Sequence, residues 1–372
     1  MVTDLSRRAV VGALASFGAA GCASAQPTNA AFQNALREAR TRHDLPGLAA
    51  AVVRSGRVSA IGVDGVRQVG TAEALEIGDR FHIASCTKSM TATLTAIAVR
   101  RGLLDWSTTL GDCVPELGGA ADYRGATLQQ LLAHAARMPA YTSPSAEQVA
   151  WMRALPGPPS EQRLAFLHEV LAHEPPNDAT GDGAYSNVGY VAACAMLERL
   201  AGAAWEDWIH HELAAPLGMR SVGFGYPASA EAPHQPRGHA RVDGRVEVLP
   251  FDPSRELAVC LYPAGAVHAS IGDLARYTGD HLDGLVGRNS LLPQSFYTQL
   301  HSQLPGSTSV FTLGWGVRDD ERLGRLHFGA GSGGWFFVRI FIAPEHDVAA
   351  VVASNSGDAA AATRELAQQL MT

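Results

Sequence analysis

The sequence predicts an α/β plus all-α protein: an antiparallel sheet flanked by helices, built from both ends of the chain, with a helical domain inserted between them. Two observations carry this reading. Short apolar runs bounded by Gly, Pro and Asp lie near the start (48–63) and near the end (313–354). Between them apolar residues recur at helical spacing, interrupted by loops such as Pro156-Gly157-Pro158-Pro159 and Pro175-Pro176.

In chain order, Phe32, Leu36 and Ala39 mark a helix from Asn29 to His43, ended by the Pro46-Gly47 breaker. Leu48–Val53 and Val58–Val63 read as two strands of a hairpin turning at Ser55-Gly56. A helix follows from the Ser85 stretch to about Arg101, before Gly102. Thr127–Ala136, Ser160–Ala172, Val188–Leu200 and Trp205–Leu213 are helical in pattern, the last stopped by Ala215-Pro216-Leu217-Gly218. After Pro250, Ile271–Leu282 reads as a helix. Leu313–Val317, Leu326–Phe328, Trp335–Ile342 and Val348–Ser354 read as strands, and Ala359–Met371 closes the chain as a helix. The expected division is a signal peptide at 1–25, an α/β domain from 26–85 and 255–372, and an inserted helical domain at 86–254.

A hydrophobic content of 47% with 17% charged residues describes an ordinary globular protein with ample core. The net charge of −7 leaves no basic stripe and excludes nucleic acid as a partner. Ser6-Arg7-Arg8 precedes an apolar run from Ala9 to Ala20, and Ala23-Ser24-Ala25 forms a small-x-small cleavage site. This pattern predicts export to the periplasm by the twin-arginine route, and the run is too short for a transmembrane segment. Cys22, after Ala19-Ala20-Gly21, is an alternative lipid-attachment site. The remaining Cys86, Cys113, Cys194 and Cys260 are widely spread, mostly among small or apolar residues, and read chiefly as buried free thiols. No C-x-x-C spacing occurs, and His168-Glu169 with His173 is one residue too long for H-E-x-x-H, leaving the histidines about 140° apart on a helix. No metal or other cofactor is implied.

The chemistry centres on Phe81–Met90. Ser85 and Lys88 are three apart at a predicted helix start, so they share one face and an amine reaches a hydroxyl. Serine becomes a competent nucleophile beside a base, and burial can bring a lysine to that role. Lys88 is the only lysine among 29 Lys plus Arg residues. Wherever positive charge alone is needed the chain uses arginine, which keeps its proton.

Two further motifs follow. In Tyr185-Ser186-Asn187 a phenol can share proton transfer with the lysine and an amide can bind a carbonyl. His327-Phe328-Gly329-Ala330, with Gly331-Ser332-Gly333-Gly334, offers small residues for close backbone approach and main-chain N–H groups for an oxyanion. Ala330–Gly334 is a near miss for G-x-S-x-G, but a strand rather than a helix follows it.

Together, Ser85-Cys86-Thr87-Lys88, Tyr185-Ser186-Asn187 and His327-Phe328-Gly329 resemble the three motifs of the class C β-lactamase-related serine hydrolases. That group includes class C β-lactamases, D-alanyl-D-alanine carboxypeptidases, D-aminopeptidases and bacterial esterases. Thr127–His134, Pro216–Met219, Pro263-Ala264-Gly265 and Ser354-Asn355-Ser356-Gly357 extend the similarity over residues 30–372. The resemblance implies a β-lactamase/transpeptidase-like fold and a small-molecule or peptide substrate. It implies that Ser85 is the acyl-enzyme nucleophile, Lys88 its proton partner and Tyr185 a general base or acid. Asn187 would position substrate, and His327 would complete the polar network. The main-chain N–H groups of Ser85 and Ala330, with Gly329 beside them, would bind the oxyanion.

This sequence departs from the usual pattern in ways that bear on substrate. Many β-lactamases and penicillin-binding proteins carry Lys-Thr-Gly as the third motif; here Phe328 lacks the hydroxyl, and histidine is mostly neutral at pH 7. Histidine there is more typical of the esterase, D-aminopeptidase and carboxypeptidase branches, so the expectation is an esterase or D-peptidase rather than a β-lactamase. His134-Ala135-Ala136-Arg137-Met138 replaces the usual His-Thr-Ser-Gly-Leu, and Gly181-Asp182-Gly183 the usual Pro-Gly; His134 is read as structural. The alternative from another class is a non-catalytic binder of cell-wall peptides or β-lactams on the same fold. Retention of both Ser85 and Lys88 argues against it. Oligomeric state is left open by the sequence.

Overall fold

The structure, a computed structural model, describes residues 30–117, 123–180, 184–230 and 232–372. The expected signal segment, Cys22 and the Gly181-Asp182-Gly183 turn lie outside the described residues.

Helix α1 (Ala30–Arg42) buries Phe32, Ala35, Leu36 and Ala39, one face at helical spacing. Strands β1 (Gly47–Arg54) and β2 (Arg57–Gly65) form the expected hairpin. Its turn residues Ser55 and Gly56 both have positive φ, at 49° and 72°, as tight hairpin turns require. Next come β3 (Arg80–His82), α2 (Thr87–Arg100), α3 (Leu110–Cys113), α4 (Leu128–Leu132), α5 (Ala146–Arg153), α6 (Pro159–His173) and α7 (Val188–Ala201). Helix α8 (Trp205–Trp208) runs into a π-helical turn, Ile209–Ala214, and then β4 (Gly223–Phe224), β5 (His239–Val242) and β6 (Arg245–Val248). The last part holds α9 (Tyr262–Gly265), β7 (Val267–Ser270), α10 (Ile271–Leu285), α11 (Gln294–Leu300), β8 (Gly316–Asp320), β9 (Gly324–Ser332), β10 (Phe337–Ala343), β11 (Val348–Ser354) and α12 (Ala360–Met371).

The main sheet has the order β2-β1-β11-β10-β9-β8, each pair antiparallel. The two ends of the chain meet inside it, Leu48 of β1 opposite Ser354 of β11. Both faces are covered, so β1 and β11 are apolar along almost their whole length rather than alternating. α1 and α12 cover one face, with Leu36, Phe341 and Leu366 in that core. α10 and the helical layer cover the other, around Ile340, Val351, Leu274 and Tyr277.

Helix α2 stands at the centre of that second core, buried on all sides from Thr87 to Ala98. Three of its threonines are tolerated there because their hydroxyls find carbonyls: Thr91 donates to Pro263 O at 2.7 Å, Thr93 to Ser89 O at 2.9 Å and Thr95 to Ala92 O at 2.8 Å. Arg163, fully buried, forks onto Glu198 and Glu206 and ties α6, α7 and α8 together.

Three expectations need correction. The strand placed at Leu313–Val317 begins only at Gly316, because Leu313 and Gly314 turn against α2. Gly314 has φ of 90°, and a Cβ there would stand 2.7 Å from Ala92 Cβ. The strand placed at Leu326–Phe328 continues through the glycines to Ser332, held by β10. The helix placed at Thr127–Ala136 is a short one, capped by Thr127 and Gln130 and ending at Leu132 before His134 at φ 56°.

Candidate active site

The serine turn is fixed from two sides. Ile83 N–H donates to Val267 O at 2.9 Å, and Val267 N–H to Thr87 Oγ1 at 3.1 Å, so β7 clamps the residues on either side of Ser85. Ala84 is left-handed at φ 44°, a conformation that costs a residue with a Cβ about 1–2 kcal/mol. A single 3₁₀ turn, Ala84–Cys86, then leads into α2. Ser85 is half-buried and lines a cavity of about 830 Å³.

Lys88 lies one turn further on, 3% exposed. Its Nζ is 3.3 Å from Ser85 Oγ, 2.7 Å from Asn187 Oδ1 and 2.8 Å from Ala264 O. The two short contacts are to carbonyl oxygens, which only accept. The longer one is to a hydroxyl, which can also donate. A neutral amine can satisfy all three, with two N–H bonds to Asn187 and Ala264 and its lone pair left for the Ser85 hydroxyl. Burial works in that direction, bringing Lys88 down to about 7.

Helix α7 begins directly after Asn187, and the Tyr185-Ser186-Asn187 turn is held by the loop that follows α4. Ser186 N–H donates to His134 Nδ1 at 3.0 Å, its hydroxyl donates to Pro139 O at 2.6 Å, and Asn187 Nδ2 donates to Tyr141 O at 2.8 Å. His134 also packs its ring 4.3 Å from that of Tyr185 and 4.8 Å from that of Phe311. Because His134 Nδ1 accepts, its proton resides on Nε2; burial, then the nearby Lys88, push its pKa well down. The Tyr185 ring lies 4.6 Å from Lys88 Nζ. Burial raises the Tyr185 phenol, an effect the nearby Ser85 hydroxyl only partly offsets. Tyr185 is thus a neutral phenol beside the serine at neutral pH.

The third motif reaches the serine turn through Gly331. A Cβ on Gly331 would stand 1.9 Å from Ile83 O and 3.0 Å from Cys86 N, so only glycine lets β9 press against the turn. Gly329 and Ala330 line the cavity, and Phe328 borders it while packing at the edge of the α1–α12 core. His327 departs from expectation: it is not among the cavity-lining residues. Trp315, which does line the cavity, stacks on His301 at 4.8 Å, and His301 meets His327 edge to face at 4.7 Å. His327 thus stands a layer behind, its Nδ1 buried without a partner, and burial takes it to about 4.

The structure therefore gathers Ser85, Lys88, Tyr185, Asn187, Gly329 and Ala330 around one cavity and sets His327 behind it. Ala264, His134 and Tyr141 were not assigned contacts to the site from sequence. Ala264 and Tyr141 contribute main-chain carbonyls, which carry no side-chain signal, although Pro263-Ala264-Gly265 stood out as a motif. Cys86, Cys113, Cys194 and Cys260 are all free and buried. Among the described residues no cluster of His, Cys, Asp and Glu could hold a metal ion, and no helix is long and apolar enough to cross a membrane.

A two-faced antiparallel sheet with a serine turn held between strand β9 and a helical layer defines the β-lactamase/transpeptidase-like fold. Residues 32–371 match the model of the Beta-lactamase family, and the chain belongs to that family. It is 23% identical over 289 residues to penicillin-binding protein 4* of Bacillus subtilis (strain 168), covering 73% of this chain and 59% of that relative's own length. Among solved structures it resembles a D-stereospecific amidohydrolase from Streptomyces sp., with TM-score 0.70 at 21% identity, over 93% of this chain and 98% of that one. It also resembles a class C beta lactamase from Rhodobacter sphaeroides, with TM-score 0.69 at 19% identity, over 92% and 100% of the two chains. These structural likenesses show the fold.

Proposed function

We propose that this protein is a serine hydrolase that forms an acyl-enzyme on Ser85 and acts on a small ester or an amide. The observation that carries the proposal is the three-way contact of buried Lys88, whose Nζ meets the carbonyl oxygens of Asn187 and Ala264 and lies 3.3 Å from Ser85 Oγ. Lys88 takes the hydroxyl proton as Oγ bonds to the substrate carbonyl carbon. The carbonyl oxygen, now negative, is received by the main-chain N–H groups of Ser85 and Ala330, a reading supported by the close approach of Gly331 to the serine turn. As the carbon–heteroatom bond breaks, the leaving group takes a proton delivered from Lys88 through the neutral phenol of Tyr185. Water then attacks the ester on Ser85 and gives its proton to the same base, which passes it to Ser85 Oγ as the acyl–oxygen bond breaks and the acid leaves.

Esters or D-amino-acid peptides are favoured over β-lactams. The third motif lacks both the lysine and the hydroxyl of Lys-Thr-Gly, and His327 is neutral and withdrawn from the cavity. The amidohydrolase among the structural neighbours is consistent with amide substrates. The paired arginines near the start of the sequence support export as a folded protein.

A fluorophosphonate probe should label Ser85 in the folded protein and leave Ser85→Ala unlabelled. A chromogenic cephalosporin, a short-chain nitrophenyl ester and a D-alanyl peptide, assayed side by side, then rank the substrates. Absence of labelling would point to the non-catalytic alternative, and fastest turnover of the cephalosporin would reverse the preference.

A further inference from the structure

We propose that the Ser85 cavity contains a subsite for a cationic amine, formed by Glu256, Tyr226 and His82. The inference rests on the hydrolase reading for its consequence: the favoured substrates would be amides or esters of amino acids whose amino group is free.

All three residues line the cavity. Glu256 is half-buried, and among the described residues its carboxylate has neither a hydrogen bond nor an ion pair. The carboxylate lies over the main chain of Gly225, another lining residue, with Oε2 2.6 Å from where a Cβ of Gly225 would stand. The Tyr226 hydroxyl also has no hydrogen-bond partner among the described residues, and burial pushes it up to about 12, with Glu256 adding to the rise. His82, 6% exposed, packs its ring 5.0 Å from that of Tyr226 and keeps Nδ1 buried without a partner. Polar groups inside a folded protein are paired as a rule, and unpaired ones along a cavity wall are what a ligand completes.

The sign of the ligand follows from which groups are unsatisfied. Arg153 and Arg255 line the same end of the cavity, but each is engaged elsewhere. Arg153 donates to the main-chain oxygen of Glu256, and Arg255 lies 3.9 Å from Asp252 with its guanidinium 5.9 Å over the Trp335 ring. The unmet charged group is the Glu256 carboxylate, whose two oxygens only accept; the Tyr226 hydroxyl beside it can accept as well as donate. Burial raises the Glu256 carboxyl and outweighs the lowering by Arg153, so that arginine compensates the carboxylate only in part. An ammonium brings three donors and the missing charge.

Calorimetric titration of Ser85→Ala with alanine amide (D and L) and with its N-acetyl derivative tests the subsite without turnover. The free-amine ligand of one configuration should bind at least tenfold tighter than its acetylated form. Glu256→Gln on the same background should remove that difference while preserving the melting temperature. Equal affinities, no binding of either ligand, or a difference that survives Glu256→Gln would overturn the subsite. Failure of Ser85 to react with the fluorophosphonate would instead overturn the hydrolase reading, and the calorimetric result would stand on its own.

Discussion

Asn187 Oδ1 accepts a hydrogen bond from Lys88 Nζ at 2.7 Å, and Asn187 cannot be turned round to do otherwise. Its Nδ2 faces Tyr141 O at 2.8 Å, and a carbonyl needs a donor. The amide therefore presents oxygen to the lysine and serves as its holder. Asn187→Asp would place a carboxylate at that spot and favour the ammonium form of Lys88. The ascending limb of kcat/KM against pH should then move up by about one unit or more, with activity partly recovered at high pH. An unmoved limb would show that Asn187 does not set the state of Lys88.

In the unaltered protein the limb should reflect Lys88 itself. Burial holds it at about 7, and the base must be neutral to accept the serine proton. kcat/KM should thus rise roughly tenfold per pH unit below 7 and level off above it. Lys88→Arg keeps the charge but not the ability to give up a proton, so it should be nearly as inactive as Lys88→Ala. An arginine variant with most of its activity would refute the base assignment.

Gly331→Ala tests how the third motif reaches the first. The added methyl would stand 1.9 Å from Ile83 O, a main-chain atom fixed by the contacts of β7. Overpacking of this kind costs about 1–3 kcal/mol and must move either β9 or the serine turn. The melting temperature should fall, and fluorophosphonate labelling of Ser85 should slow by more than the loss of folded protein explains. Unchanged labelling would mean that the turn and the strand are not coupled.

Much of this was legible in the sequence because the signals were local. The β1–β2 hairpin is written in Ser55-Gly56 between two apolar runs, and the Ser85–Lys88 pair in helical spacing and the solitary lysine. What sequence did not reveal depends on neighbours distant along the chain. Gly314 looked like part of a strand, yet its turn is imposed by packing on Ala92. The glycines after His327 looked like a loop, yet pairing with β10 draws them into β9. His327 looked like a site residue from its motif, and only the stack of Trp315 on His301 shows that it is screened. Helices α5 and α11 and the β5–β6 hairpin were also missed, being short segments whose apolar spacing is too brief to mark a period.

The screened histidines give the last prediction. Burial takes His281 to about 3 and His327 to about 4, against about 6.5 for histidine in an unfolded chain. Both are neutral in the native state, and His281 uses its neutrality, with Nδ1 2.9 Å from His301 Nε2 and Nε2 3.2 Å from Thr93 Oγ1. Below about pH 6.5 the unfolded chain binds protons that the native core refuses, so stability falls with falling pH. Each such group contributes about 1.4 kcal/mol per pH unit until its folded value is approached. Denaturant midpoints measured between pH 7.5 and 5 should therefore drop steeply. His327→Leu removes one titrating group whose Nδ1 has no partner and whose cross-strand neighbours Val317 and Ile342 are apolar. That variant should be close to wild type in stability at pH 7.5 and visibly less acid-sensitive. A variant as acid-labile as the parent, or strongly destabilised at pH 7.5, would show that His327 is held by polar contacts after all.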